Sequence, residues 1–126
     1  MSPTKTASAP AIVTPSLVLE TVAAALRIPA ADLRAPERID DQYRMTPRDW
    51  TPARMARGMV LHWIKVRCPL APEYGIGQLL AMDAAAVDGE REAFRERLRR
   101  NPELRKSAAR IEEALKAVKA KGKVRL

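Results

Sequence analysis

An amphipathic stripe that starts at Thr51 constrains the fold of this chain more than any other feature. A threonine hydroxyl can cap the first amides of a helix, and Pro52 suits the first helical position. Apolar side chains then recur at spacings of four, four and three, at Met55, Met59, Trp63 and Val66. This spacing predicts one long, half-buried helix, which Pro69 must end.

Two further helices are predicted directly after this one. Residues 68–75, CPLAPEYG, hold two prolines and a glycine and indicate a turn. Residues 76–82, IGQLLAM, leave room for a short helix only, and Asp83 can cap the next one. The predicted order is therefore a long helix, a turn, a short helix and a capped helix. This is the order of a helix-turn-helix unit, in which the last helix reads DNA.

The residues of this unit resemble the C-terminal DNA-binding domain of the bacterial replication initiator DnaA. That family has a Pro-Arg-Gln helix start, an Ile-Gly pair, and a Gly-Gly-Arg-Asp-His-Thr-Thr-Val signature that opens the recognition helix. The matching positions here are Pro52-Ala53-Arg54, Ile76-Gly77 and Ala81-Met82-Asp83-Ala84-Ala85-Ala86-Val87. With LVLETVAAALRIPAADLRAPER upstream and NPELRKSAARIEEALKAVK downstream, the resemblance covers about residues 16 to 118. It implies an all-α, Trp-repressor-like helical bundle that contains a helix-turn-helix.

The start of the long helix is a candidate phosphate site. A helix N-terminus carries partial positive charge and unpaired amides. Thr51 and Arg54 would form the site, and Arg57, about one turn further on, would extend it.

A basic loop is expected before the long helix, because residues 34–49 have no apolar periodicity. The resembling family inserts an arginine of this loop into the minor groove, where narrow A·T tracts concentrate negative potential. The resemblance assigns that contact to Arg34 and Arg38. Glu37, Asp40 and Asp41 oppose it, and a solvated loop without DNA contact is the alternative.

The third helix would set the sequence preference. Gln78 precedes it at a position that often touches phosphate, and Arg91 and Arg95 lie further along it, facing phosphate or guanine. The signature positions are Asp83, Ala84, Ala85 and Ala86. Alanine can pack against a thymine methyl group but reads no pattern of donors and acceptors. Recognition of the DnaA box is therefore not expected, and any sequence preference is expected to be altered, weak or supplied by something else.

The composition of the two ends of the chain predicts one domain flanked by two tails. Residues 1–14 are rich in Ser, Thr, Pro and Ala without periodicity, which indicates a flexible tail. The domain spans residues 15–120. Its first helix buries Val18, Val22 and Ala25, a short turn follows at residues 30–33, and the last helix carries an apolar stripe at Leu104, Ala108, Ile111, Leu115 and Val118. Gly122 is expected to end that helix within a basic tail, residues 121–126, that adds phosphate contacts.

Charge is distributed unevenly along the chain. Residues 1–89 hold 10 Lys or Arg and 9 Asp or Glu, whereas residues 90–126 hold 13 and 6, so nearly all of the net charge of +8 lies at one end. A one-sided basic surface attracts a polyanion, and nucleic acid is the expected one. The alternative is that these arginines only solvate two helices.

Several functional classes are not expected. The single cysteine, Cys68, excludes an internal disulfide and suits a reducing cytoplasm, and no apolar run is long enough to span a bilayer. There is no phosphate-binding GxxxxGK[ST] loop, no Cys and His cluster for zinc, and His62 is the only histidine. We therefore predict no catalysis, cofactor, metal, nucleotide or membrane partner. Whether Trp50 is a core anchor or an exposed contact stays open.

These observations predict a cytoplasmic, double-stranded DNA-binding regulator of transcription. By resemblance, stand-alone DnaA-like domains activate gene transfer agent clusters together with a sigma-factor-like part. A separate partner of that kind, or a DNA-bending protein, would act with this chain as an activator. The alternatives are a replication-initiation regulator that occupies initiator sites, and a protein-interaction module that kept the fold and lost DNA binding.

Overall fold

The described part of the chain folds into five α-helices. The computed structural model describes residues 13–34 and 50–125, with side chains as far as Ala117. The helices are α1 (Pro15–Leu26), α2 (Pro52–Arg67), α3 (Glu73–Leu80), α4 (Ala84–Arg100) and α5 (Pro102–Arg125), and a 3₁₀ turn (Ala30–Leu33) follows α1. The described ranges contain no strand, which confirms the all-α prediction. None of the described helices is both long and apolar enough to cross a membrane.

Short polar side chains start four of the five helices. The hydroxyl of Thr14 accepts from the amide of Leu17 at 3.1 Å, and Asn101 caps α5 through the amide of Leu104, also at 3.1 Å. Thr51 and Asp83 cap α2 and α4, as predicted. Each such cap stabilises a helix by about 1 kcal/mol. The helix boundaries are therefore set locally by the sequence.

Helix α2 is the centre of the core and packs between α1 and α4. Residues 56–61 are all buried, so the middle of α2 is enclosed on every side, and Met59 and Trp63 lie inside as predicted. Val66, also predicted inside, is 51% exposed. Ile64 in the same turn is fully buried, so Val66 lies on the solvent-facing side of α2, where it borders an open groove between α2 and α4.

The two terminal helices complete the core. Val18, Leu19 and Val22 of α1 are buried, whereas Ala25 is exposed, contrary to its predicted place on the inner side. In α5 four of the five predicted positions are buried, namely Leu104, Ala108, Ile111 and Leu115, and the fifth lies beyond the described side chains. Helix α5 passes through Gly122 to Arg125, so the prediction that Gly122 ends it is wrong. One glycine costs a helix about 1 kcal/mol, which a long helix can absorb.

A close crossing of two helices positions α4. Gly58 of α2 lies under the ring of Phe94, so that a Cβ at Gly58 would stand 2.2 Å from Cδ1 of that ring. Phe94 is fully buried. The absence of a side chain at Gly58 therefore determines how near α4 lies to the central helix.

Candidate nucleic-acid interface

A tight turn joins α3 to α4. Only residues 81–83 separate the two helices, and the amide of Met82 donates to the carbonyl of Gly77 at 2.8 Å. A Cβ at Gly77 would stand 2.3 Å from the carbonyl oxygen of Met82, so the turn can close this tightly only because residue 77 is glycine. Ala81 adopts the left-handed conformation, with φ at 58°. A short helix, a three-residue turn and a longer helix thus follow α2 in the predicted order.

The amino end of α4 is on the surface. Asp83, Ala84 and Ala85 are exposed, and Ala86 is half-buried. Asp83 accepts from the amide of Ala86 at 2.7 Å. On α3, the exposed Gln78 donates through Nε2 to the hydroxyl of Tyr74 at 3.0 Å. The predicted signature positions are thus accessible, together with Gln78 on the preceding helix.

Arg54 connects α2 to α4. Its Nε and Nη2 donate to the two carboxylate oxygens of Glu90 at 2.9 and 2.7 Å, and its guanidinium carbon lies 3.9 Å from the centre of the Trp50 ring. The hydroxyl of Thr51, itself buried, accepts from the Arg54 amide at 3.0 Å. Both residues of the predicted phosphate site therefore have structural contacts, and the Arg54 side chain holds the two helices together.

Arg57 is not on the surface. The sequence predicted a phosphate contact one turn after Arg54, but Arg57 is 1% exposed. Because residues 56–61 of α2 are all buried, a position off the apolar stripe still faces the interior there. A phosphate therefore does not reach Arg57 in this structure, and the predicted contact is corrected.

Arg91 also connects helices. It donates to both carboxylate oxygens of Glu73 on α3, at 2.9 and 3.1 Å, and to Asp88 at 3.2 Å. Its side chain is only 11% exposed. Predicted to face phosphate or guanine, Arg91 instead fixes α4 against α3. Arg95 is 72% exposed and pairs with Glu92 at 3.4 Å, so it is accessible.

The two arginines of the predicted loop are placed differently. Arg34 is exposed directly after the 3₁₀ turn. Arg38 lies outside the described residues.

The charge on α4 changes sign along the helix. Residues 83–96 carry five Asp or Glu and two Arg, whereas residues 97–110 carry six Lys or Arg and one Glu. We call residues 97–110, where α4 ends and α5 begins, the basic corner. The basic excess of the described side chains is thus concentrated at the end of α4 opposite the signature positions. Counting charge in shorter windows along the sequence would have revealed this.

Among the described residues, two ionisable groups outside ion pairs have a shifted pKa, His62 and Cys68, and both pack within the fold. Burial lowers the pKa of His62, with Glu112 acting in the opposite direction, and its ring stands edge-on to Trp63 at 4.8 Å. Burial raises the pKa of the Cys68 thiol, which donates to the carbonyl of Val13 at 3.0 Å. Among the described residues, no cluster of three or more His, Cys, Asp or Glu could hold a metal ion.

Comparison with known protein families, with curated proteins and with solved structures finds no match to this chain.

Proposed function

We propose that this chain is a double-stranded DNA-binding regulator of transcription, and that the amino end of α4 enters the major groove. One observation carries the proposal: a three-residue turn, closed against Gly77, exposes Ala84 and Ala85 at the start of a helix. A major groove about 12 Å wide admits an α-helix in this orientation.

The exposed side chains suit close approach to base edges. Ala84 and Ala85 are small, so the helix backbone can come near the bases, and their methyl groups can pack against thymine methyl groups. Gln78 and Tyr74 lie exposed on α3, where an amide and a hydroxyl can donate to phosphate oxygens. The preferred sites are therefore expected to be rich in thymine.

Two ion pairs support this role by fixing the orientation of α4. Arg54 binds Glu90 across to α2, and Arg91 binds Glu73 across to α3, each through two hydrogen bonds. Such fork-shaped pairs add geometric specificity as well as energy. A recognition helix needs this rigidity, because base contacts require precise placement.

The acidic character of residues 83–96 limits how strongly α4 alone can attract phosphates. Arg34 and Arg95 are exposed, and the sequence adds four Lys or Arg between residues 119 and 125. We propose that this modest electrostatic attraction is supplemented by a separate protein partner, and that the chain is a DnaA-like, Trp-repressor-like domain acting as an activator. A gene transfer agent cluster is a target of the kind that the resemblance suggests.

A second function has one observation in its favour. The five carboxylates of residues 83–96 repel phosphate, which would suit a protein-interaction module that kept the fold and lost DNA binding. Under that hypothesis the chain has no measurable affinity for duplex at physiological salt.

Selection from sheared genomic DNA separates the two hypotheses. Purified protein is mixed with the fragments at near-physiological salt, and the bound fragments are recovered and sequenced. Sharp enrichment upstream of one gene cluster is expected for a regulator. Even coverage would show that binding is to phosphate without sequence preference, and no recovery would favour the interaction module.

A further inference from the structure

Trp50 stands where the start of α2 meets α4. It lies two residues before α2 begins at Pro52, and its side chain is half-buried. The Phe94 ring of α4 packs against it, with 6.3 Å between the ring centres, and the guanidinium of Arg97 lies 5.3 Å from the centre of the indole. Trp50 therefore contacts the second half of α4 directly.

The same indole reaches the first half of α4 through Arg54. The Arg54 guanidinium lies over the ring, 3.9 Å from its centre, and donates to both carboxylate oxygens of Glu90. A guanidinium that lies over an indole has its plane fixed, and a fork-shaped pair forms only when that plane is in line with the carboxylate. The Trp50 ring therefore orients the group that holds Glu90.

Two attachment points fix the direction of a helix, whereas a single one leaves the helix free to tilt. Glu90 and Arg97 are seven residues apart, which is about 10 Å along α4. From Arg97 to Ala84 the helix runs about 20 Å, so a tilt of about 5° around the Arg97 end would displace Ala84 by about 2 Å. A binding site must hold its contacts within about 0.5 Å, so a tilt of this size would matter.

We propose that Trp50 is a positioning residue for α4, because it packs against Phe94 and orients Arg54 toward Glu90. The inference rests on the proposed function, since the direction of α4 affects binding only if its amino end reads bases. Trp50 itself would touch no base, because its contacts lie toward the end of α4 opposite Ala84. Its effect should therefore fall on the preference between sequences and leave the attraction to phosphate unchanged.

Duplex binding by Trp50 variants tests the proposal on the full chain. The readout is the specificity ratio, which is the affinity for a duplex recovered from the genomic selection divided by the affinity for a scrambled duplex of the same composition. Trp50→Leu removes the aromatic face and should lower this ratio about tenfold, the order of one lost base contact, with the scrambled duplex bound as before. Trp50→Phe keeps a ring for Arg54 and should lower the ratio less than about threefold.

Arg54→Gln shows whether Trp50 acts through Arg54. This change breaks the fork to Glu90 and should also lower the specificity ratio. Added to Trp50→Leu, it should lower the ratio less than about threefold further, because the first change has already released the amino half of α4. If the two losses multiplied, the residues would act independently, and the proposal would be overturned.

Val22→Ala is the control for lost stability. Val22 is fully buried on α1, which packs mainly against α2 and α5. The change should destabilise the fold without tilting α4, so the specificity ratio should stay within about twofold of that of the unaltered chain. An equal loss of the ratio in Val22→Ala and Trp50→Leu would show that Trp50 contributes stability alone and would refute its positioning role.

The direction of α4 is also measurable without DNA. Residual dipolar couplings of backbone amides in the free protein give the angle between α2 and α4, which Trp50→Leu should change by about 5° or more and Val22→Ala by less than about 2°. An unchanged angle in Trp50→Leu would overturn the inference. So would an unchanged specificity ratio in that variant, and the proposed function would then stand. Absence of selective binding by the unaltered chain would instead overturn the proposed function, and this inference with it.

Discussion

Replacing Gly58 with alanine should loosen the contact between α2 and α4. A Cβ at this position would lie 2.2, 2.6 and 2.9 Å from Cδ1, Cγ and Cβ of Phe94. Carbon atoms prefer a separation of about 3.5 Å, so the ring would have to move by more than about 1 Å. It has little room to do so, because Phe94 is fully buried and packs against Trp50 and His62 at ring distances of 6.3 and 6.1 Å.

The expected loss follows from two opposing terms. Overpacking of this severity costs about 3 kcal/mol, and the higher helix propensity of alanine returns about 1 kcal/mol. Gly58→Ala should therefore lower the free energy of unfolding by about 2 kcal/mol and Tm by about 8 °C. Urea and thermal unfolding followed by circular dichroism measure both quantities.

Gly89→Ala is the matched control. This glycine lies on the same helix as Phe94, is exposed, and has no atom within 4 Å of an added Cβ. Alanine here should raise the free energy of unfolding by about 0.5 to 1 kcal/mol. If both variants were stabilised, the close approach at Gly58 would not exist and the placement of α4 would be wrong.

Three other predictions concern stability. Arg91→Ala should lower the free energy of unfolding by about 1 to 2 kcal/mol, and a double-mutant cycle with Glu73→Gln should give a coupling of about 1 kcal/mol; zero coupling would contradict the pair. Ala81→Gly should raise stability by about 0.5 to 1 kcal/mol, because φ at 58° suits glycine, and a loss in urea unfolding would argue against that backbone conformation. Because burial lowers the pKa of His62 below its ordinary value of 6.5, the unfolded chain binds the extra proton first, and stability should fall as pH drops through about 6.5, by at most about 1.4 kcal/mol per pH unit. His62→Gln should remove that part of the pH dependence, and an unchanged pH profile would contradict the assignment.

Features that depend on neighbours in sequence were predictable. The caps at Thr51 and Asp83 and the stripe of α5 each rest on residues within a few turns of one another. These signals depend only on residues that are close in sequence, so they can be recognised without knowing how the helices pack.

The roles of the arginines were not predictable in the same way. Arg54 pairs with a residue 36 positions away and Arg91 with one 18 positions away. Arg57 lies inside because several elements enclose α2, and one apolar stripe does not show how many neighbours a helix has. Arginines outside the apolar stripes were therefore predicted to contact DNA. In the structure, however, Arg57 is buried, and Arg54 and Arg91 form ion pairs between helices.

The interpretation of the charge changed for a related reason. The sequence located the excess in the last third of the chain, and the structure concentrates its described part at the basic corner. A helix separates its two ends by its length, so charge at one end of α4 need not lie near the residues at the other end that we propose read DNA.

Duplex binding by a variant of the α4 amino end tests the central claim most directly. Ala84→Glu with Ala85→Glu places two carboxylates at exposed positions in the first turn of α4, where they favour the helix but would repel DNA. Ala109→Glu with Ala117→Glu adds the same charge to exposed positions of α5. With a duplex recovered from the genomic selection, fluorescence anisotropy should show binding weakened at least about tenfold in the first variant and changed little in the second. Equal affinities in the two variants, or no binding by the unaltered chain, would contradict the claim that α4 reads DNA.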